Sequence, residues 1–104
     1  MELTIKKENL LEHVLYQEQS IVSKILLKKP NGNLTLFAFD EGQSLAEHTS
    51  PYDAVIYLVE GDLSVSISGQ VNEVKQGEYI ILPANLPHGI MAVSTSKFLL
   101  IMIK

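Results

Sequence analysis

Cysteine is absent from this chain of 104 residues. That excludes disulfide staples and thiolate metal centres, and it leaves the cellular compartment open on this count. A long apolar run is also missing. The opening stretch, "MELTIKKENLLEH", lacks the uninterrupted hydrophobic segment of a secretory signal. No other stretch approaches the roughly 20 apolar residues that cross a bilayer. A cytoplasmic protein without membrane contact is expected. Positive charge is scarce: the formal net charge is −4, and the one basic cluster is Lys24, Lys28 and Lys29. Nucleic acid would need a broader basic surface. Nucleophile and phosphate-loop patterns are missing too, so acyl and phosphoryl transfer have no support. There is no internal repeat, linker or low-complexity segment.

What the chain does have is hydrophobic pattern. Hydrophobic residues make up 46% of it, and the 19% that are charged are interspersed. This composition argues against disorder and supports one packed core, in a single domain over 1–104. In "ENLLEHVLY" (8–16), Leu10, Leu11, Val14 and Leu15 share a helical stripe, which predicts a short helix. "SIVSKILLKK" then alternates, with Val22, Lys24, Leu26 and Lys28 on one face and Ile21, Ser23, Ile25 and Leu27 on the other. That is a half-buried strand. Asn31-Gly32 predicts a hairpin turn into the return strand "LTLFAF" (34–39).

The remainder reads as short strands and turns: "AVIYLVE" (54–60), "LSVSISG" (63–69), "NEVKQ" (72–76), "EYIILP" (78–83) and "SKFLLIMIK" (96–104). In the second of these, Leu63, Val65 and Ile67 are expected inward and Ser64, Ser66 and Ser68 outward or toward a pocket. Such spacing predicts an antiparallel sandwich or small barrel.

Two stretches carry a resemblance. From Gly42 the chain runs five residues to His48, then Thr49 and Ser50, three residues to Ala54, and six to Gly61. From Gly77 it runs five residues to Pro83, then Ala84 and Asn85, two residues to His88, and three to Ala92. Fifteen residues separate the two stretches. This spacing resembles the paired motifs of the cupin superfamily, and the separation is similar to that of its small microbial members. The resemblance covers 42–92 directly. It implies an all-β, cupin-type jelly-roll barrel (a double-stranded β-helix), with 1–30 as a flanking N-terminal helix and strand. The glycines suit tight turns with positive φ, and Asn85 tolerates the left-handed region where the motif has glycine.

In metal-binding members of the superfamily, two histidines and a glutamate of the first motif join the histidine of the second. Carried over, those positions are His48, Ser50, Ala54 and His88, of which only the two histidines are strong ligands. Two imidazoles would hold a divalent transition metal (zinc, nickel, iron or manganese) loosely, so low occupancy is expected. A third ligand would have to come from elsewhere. Glu47 points away from His48 by strand alternation. Tyr52, Asp53 and Glu41 qualify only if their loops turn inward.

For His48 and His88, a pocket role without metal or a satisfied core histidine together outweigh ligation. The expected pocket comprises His48, Ser50, Tyr52, Ala54 and His88. Plainer readings hold elsewhere: His13 as a surface residue on the helix, Tyr57 and Tyr79 as strand packing, Met91 and Met102 as core filler, and the "KQGE" and "EGD" charges as solvated turns.

Three functions remain open. One is a module that binds a small organic molecule. A second is an enzyme, of the metal-assisted oxygenase or isomerase type that the resemblance implies, or metal-free with His48 and His88 as acid and base. The third is a homodimeric interaction protein without catalysis. A homodimer is expected in any case, because "FLLIMI" (98–103) and "AVIYLV" (54–59) are apolar on both faces. A barrel interior takes one face, and a short helix covers only part of the other.

Overall fold

The computed structural model describes residues 5–104. A single helical turn, α1 (Leu10–His13), precedes β1 (Ile21–Lys29), β2 (Gly32–Phe39), β3 (Ser44–His48), β4 (Asp53–Glu60), β5 (Asp62–Ile67), β6 (Gln70–Lys75), β7 (Tyr79–Leu82), β8 (His88–Ala92) and β9 (Ser96–Ile103). The strands form two antiparallel sheets, a larger one ordered β1-β2-β9-β4-β7 and a smaller one ordered β3-β8-β5-β6. The chain crosses between them repeatedly, which makes the jelly-roll barrel that the sequence implied. No helix among the described residues is long and apolar enough to cross a membrane.

Alternation along the strands fills the interior. Phe39, Ile56, Leu58, Leu63, Val65 and Phe98 are fully buried in one cluster, with Phe37, Ile67 and Leu100 packed against it. As expected, Leu63 and Val65 point in, and Ser64 and Ser66 line the outside of the smaller sheet. Phe98 stacks on Phe37 at 5.1 Å and tilts against Phe39 at 5.2 Å between ring centroids. Gly61 turns the chain from one sheet to the other with φ +101, and a Cβ there would lie 2.3 Å from the Thr95 carbonyl oxygen. Both facts require glycine.

The hairpin differs from its expected form. Lys29 pairs with Gly32, so Pro30 and Asn31 are the turn. Neither has positive φ, and proline presets the first turn position. Gly32 serves a close approach instead, because a Cβ would meet the Met102 carbonyl oxygen at 2.5 Å. β1 also departs from strict alternation. A bulge between Ile25 and Leu27 shifts its register. Leu26 therefore packs beneath the N-terminal segment, while Ile25 and Leu27 are both exposed.

The expected helix over 8–16 shrinks to one turn. Asn9 caps it by accepting from the Leu11 amide at 2.9 Å, and Val14 is already extended at φ −131 and ψ 130. A helix this short gains little on its own, whereas extended backbone lets the following side chains reach the larger sheet. Val14 buries itself against Leu36 and Ala38. The Tyr16 hydroxyl donates to Glu60 Oε2 at 2.6 Å. Lys97, itself buried, donates to the Leu11 carbonyl and lies 4.8 Å from the centre of the Tyr16 ring. Burial, then the bond to Glu60, pushes the Tyr16 hydroxyl well above its ordinary range.

Several plain sequence readings are corrected here. Glu60, read as a solvated turn charge, is half-buried and holds the N-terminal segment down. Leu11 and Leu15 lie exposed rather than on a packed stripe, and Met91 is exposed on the smaller sheet rather than in the core. His13 is not a surface residue: its side chain is only 11% exposed, enclosed by the same N-terminal segment.

Candidate functional site

The site is built where β3 ends and β8 begins. Leu45 pairs with Ile90, and His48 pairs with His88. Three steps along β3 thus match two along β8, which is a bulge. The extra residue resets alternation so that His48 falls on the same face as Leu45 and meets His88 directly. Glu47 is turned to the outside, where it lines a shallow depression with Ser64 and Ser66. On its other side His88 pairs with Ile67 of β5.

The two imidazole rings meet edge to face with centroids 4.5 Å apart. His88 is buried, and His48 is exposed at the rim. Their hydrogen bonds follow one pattern. His48 Nδ1 lies 2.9 Å from the Ala46 carbonyl oxygen, and His88 Nδ1 lies 3.4 Å from the Leu86 carbonyl oxygen. A carbonyl only accepts, so each Nδ1 carries the proton. In a neutral ring, each Nε2 is then left with its lone pair. Burial, reinforced by the neighbouring His48, pulls the His88 pKa below its ordinary value, and the bond to Leu86 opposes this in part. The buried ring is therefore held neutral near pH 7.

The loops of the two motifs are stitched together beside this pair. The Asn85 amide donates to the Ser50 carbonyl at 2.7 Å, and the Ala84 amide donates to Asp53 Oδ1 at 2.8 Å. Asn85 has φ +68, the left-handed position that the motif gives to glycine. Ser50 Oγ accepts from the Tyr52 amide at 3.2 Å. Tyr52 is exposed, with the Lys104 ammonium 5.7 Å from its ring centre. Ala54 lies in the hydrophobic core and pairs with Met102. The structure thus brings His48 and His88 into contact. It places Ser50 and Tyr52 in the adjoining loop, and Ala54 in the packed core of the larger sheet.

The residues do not fit a resident four-ligand metal. Ser50 and Ala54 supply no strong donor. Asp53 is engaged with a backbone amide, and Glu41 lies at the opposite end of β3. Among the described residues, no group of three or more histidines and carboxylates is placed to hold an ion. What the arrangement offers is a pair of imidazoles in contact, one buried and one exposed.

Sequence reasoning missed two contributors. The β3 bulge leaves no signature in composition. The loop-to-loop bond through Asp53 could have been suspected, because an aspartate after proline often bonds a nearby backbone amide.

Comparison with known proteins agrees with this geometry. A family model described as "Cupin domain" matches residues 35–104. A search of curated proteins finds no match. Among solved structures, a conserved protein of unknown function from Streptococcus pyogenes superposes with a TM-score of 0.91 at 28% identity, over 99% of this chain and 90% of that one. A cupin 2 conserved barrel domain protein from Leptotrichia buccalis is 41% identical with a TM-score of 0.88, over 93% of this chain and 47% of that chain. An RmlC-like cupin from Desulfovibrio desulfuricans is 28% identical with a TM-score of 0.85, over 96% and 97% of the two chains. With both motifs in register, a histidine from each in contact and a family match over most of the barrel, the chain belongs to the cupin family.

Proposed function

We propose that this cupin binds a small polar organic molecule at the His48–His88 pair, without a resident metal. The carrying observation is the geometry of the pair: two rings 4.5 Å apart, each with Nδ1 facing a backbone carbonyl, from which the shared tautomer follows. Both Nε2 atoms are then free to accept. A ligand with two neighbouring donors, such as a vicinal diol, would match them. The test is an NMR titration with a panel of simple polyols and monosaccharides, read at the histidine rings. At least one compound should give saturable shifts at His48 and His88 and bind at least tenfold more weakly to His88→Ala. No saturable shift across the panel, or an affinity unchanged by the substitution, would contradict the reading.

A second proposal concerns assembly. One apolar row crosses the larger sheet: Leu27 pairs with Leu34, Leu34 with Ile101, Ile101 with Val55, and Val55 with Ile81. The N-terminal segment covers the neighbouring region around Leu36 and Ala38, yet Leu27, Tyr79, Ile81 and Ile103 stay exposed. A two-fold pairing of this face with a second copy would bury the row.

A further inference from the structure

Charge on the larger sheet is sorted between the two rims that its strands connect. At one rim lies the β1–β2 turn, where Lys28 pairs with Asn33 and Lys29 with Gly32. Ile103 pairs with Gly32 there, and the Lys104 amide donates to the Asn31 carbonyl. At the opposite rim Ile21 pairs with Phe39, and Phe39 with Ser96. The turns beside that pair carry Glu18 and Asp40, and the Gln19 amide donates to Asp40 Oδ2 at 2.7 Å. One rim is therefore basic and the other acidic. Two charges run against this order. Asp53, at the basic rim, accepts from the Ala84 amide, and Lys97, at the acidic rim, is buried beneath Tyr16.

The outer face of the sheet is stepped in the same direction. Toward the acidic rim the N-terminal segment covers it, with Val14 on Leu36 and Ala38 and the Leu11 carbonyl held by Lys97. This raised half leaves Leu11 and Leu15 exposed, with Glu12 and Glu18 beside them. Toward the basic rim the sheet is bare. Leu27, Leu34, Ile101, Met102 and Ile103 line an open apolar recess of about 450 Å³ there, and Lys29 borders it. Lys28, Lys29, Glu12 and Glu18 are exposed and make no ion pair among the described residues.

Aligned packing of two such faces leaves two choices for a two-fold axis in the plane of the sheet. An axis along the strands stacks like rim on like rim and raised half on raised half. An axis across the strands stacks basic rim on acidic rim and raised half on bare half, and each contact then occurs twice. We infer that two copies of this chain pair antiparallel, about an axis across the strands. The raised half of each copy, with Leu11 and Leu15, seats on the recess of the other, and its Glu12 and Glu18 face the other's Lys28 and Lys29. This inference rests on the pairing of the outer face proposed above and adds its orientation and its salt dependence. Exposed charges are screened by salt, so the pairing weakens as ionic strength rises.

The test is sedimentation of the full chain, which reads the dimer dissociation constant. The wild type should dimerise, and more weakly at about 0.5 M than at about 0.05 M salt. Lys28→Glu with Lys29→Glu, and Glu12→Lys with Glu18→Lys, should each weaken self-association at least about tenfold, because like charges then face each other. Mixed together, the two double variants should form a heterodimer within about threefold of the wild-type affinity, since both rim contacts are restored with their signs exchanged. The chain with all four substitutions should pair with itself again. A wild-type monomer would overturn the pairing and its orientation together. A wild-type dimer that Ile101→Glu dissociates, but that ignores the charge reversals, would keep the face and overturn the orientation. Reversals that mixing does not restore would do the same.

Discussion

His88 sits where burial and a second imidazole both oppose protonation, so its pKa is lowered on folding. The unfolded chain therefore takes up the proton first, near the ordinary value of about 6.5. Stability is unaffected above that pH, falls as pH drops through it, and stops falling below the folded-state value. His88→Gln should lose this component: between pH 7.5 and 5.5 the melting temperature of the wild type should drop further than that of the variant. Ala54 carries a different prediction. It lies in the core beside Met102, so a buried glutamate there should cost on the order of 3 kcal/mol without a counter-charge. In Ser50→His with Ala54→Glu, zinc or nickel should restore that loss and raise the melting temperature, while the wild type shifts much less. At this scale much was legible: the spacing of histidines, glycines and Asn85 anticipated that His48 and His88 meet. Which ring is buried was not, because exposure depends on how the loops at 49–53 and 83–87 close.

The N-terminal segment shows where pattern reading stops at the scale of elements. Helical periodicity over 8–16 was present, but the sheet offered more to extended backbone, with Val14 among Leu36 and Ala38 and Tyr16 on Glu60. Tertiary contacts decided against propensity. Strand order and the bulges in β1 and β3 were equally out of reach, because each is set by pairing between distant segments. Tyr16→Phe removes a hydrogen bond to a charged group and should cost about 1.5–3 kcal/mol in chemical denaturation. The ring signals of His48 and His88 should stay in place, since the segment packs on the outer side of the larger sheet. Movement of those signals would mean that the strap and the site are coupled.

For the whole molecule, the strands that are apolar on both faces are explained in part by the core and in part by the strap, and the row through Leu34, Ile101 and Val55 continues past both. Ile101→Glu should convert a dimer into a folded monomer in sedimentation at micromolar concentration. A wild-type monomer would remove the proposed pairing. The central claim is that this cupin presents two metal-free imidazole acceptors to its ligand. It is tested most directly by the histidine ring nitrogen spectrum of untagged protein at pH 8, before and after treatment with a chelator. The account predicts Nδ1-protonated rings with free Nε2 lone pairs at both His48 and His88, unchanged by the chelator. Metal-shifted Nε2 signals that the chelator abolishes, or Nε2-protonated rings, would contradict it.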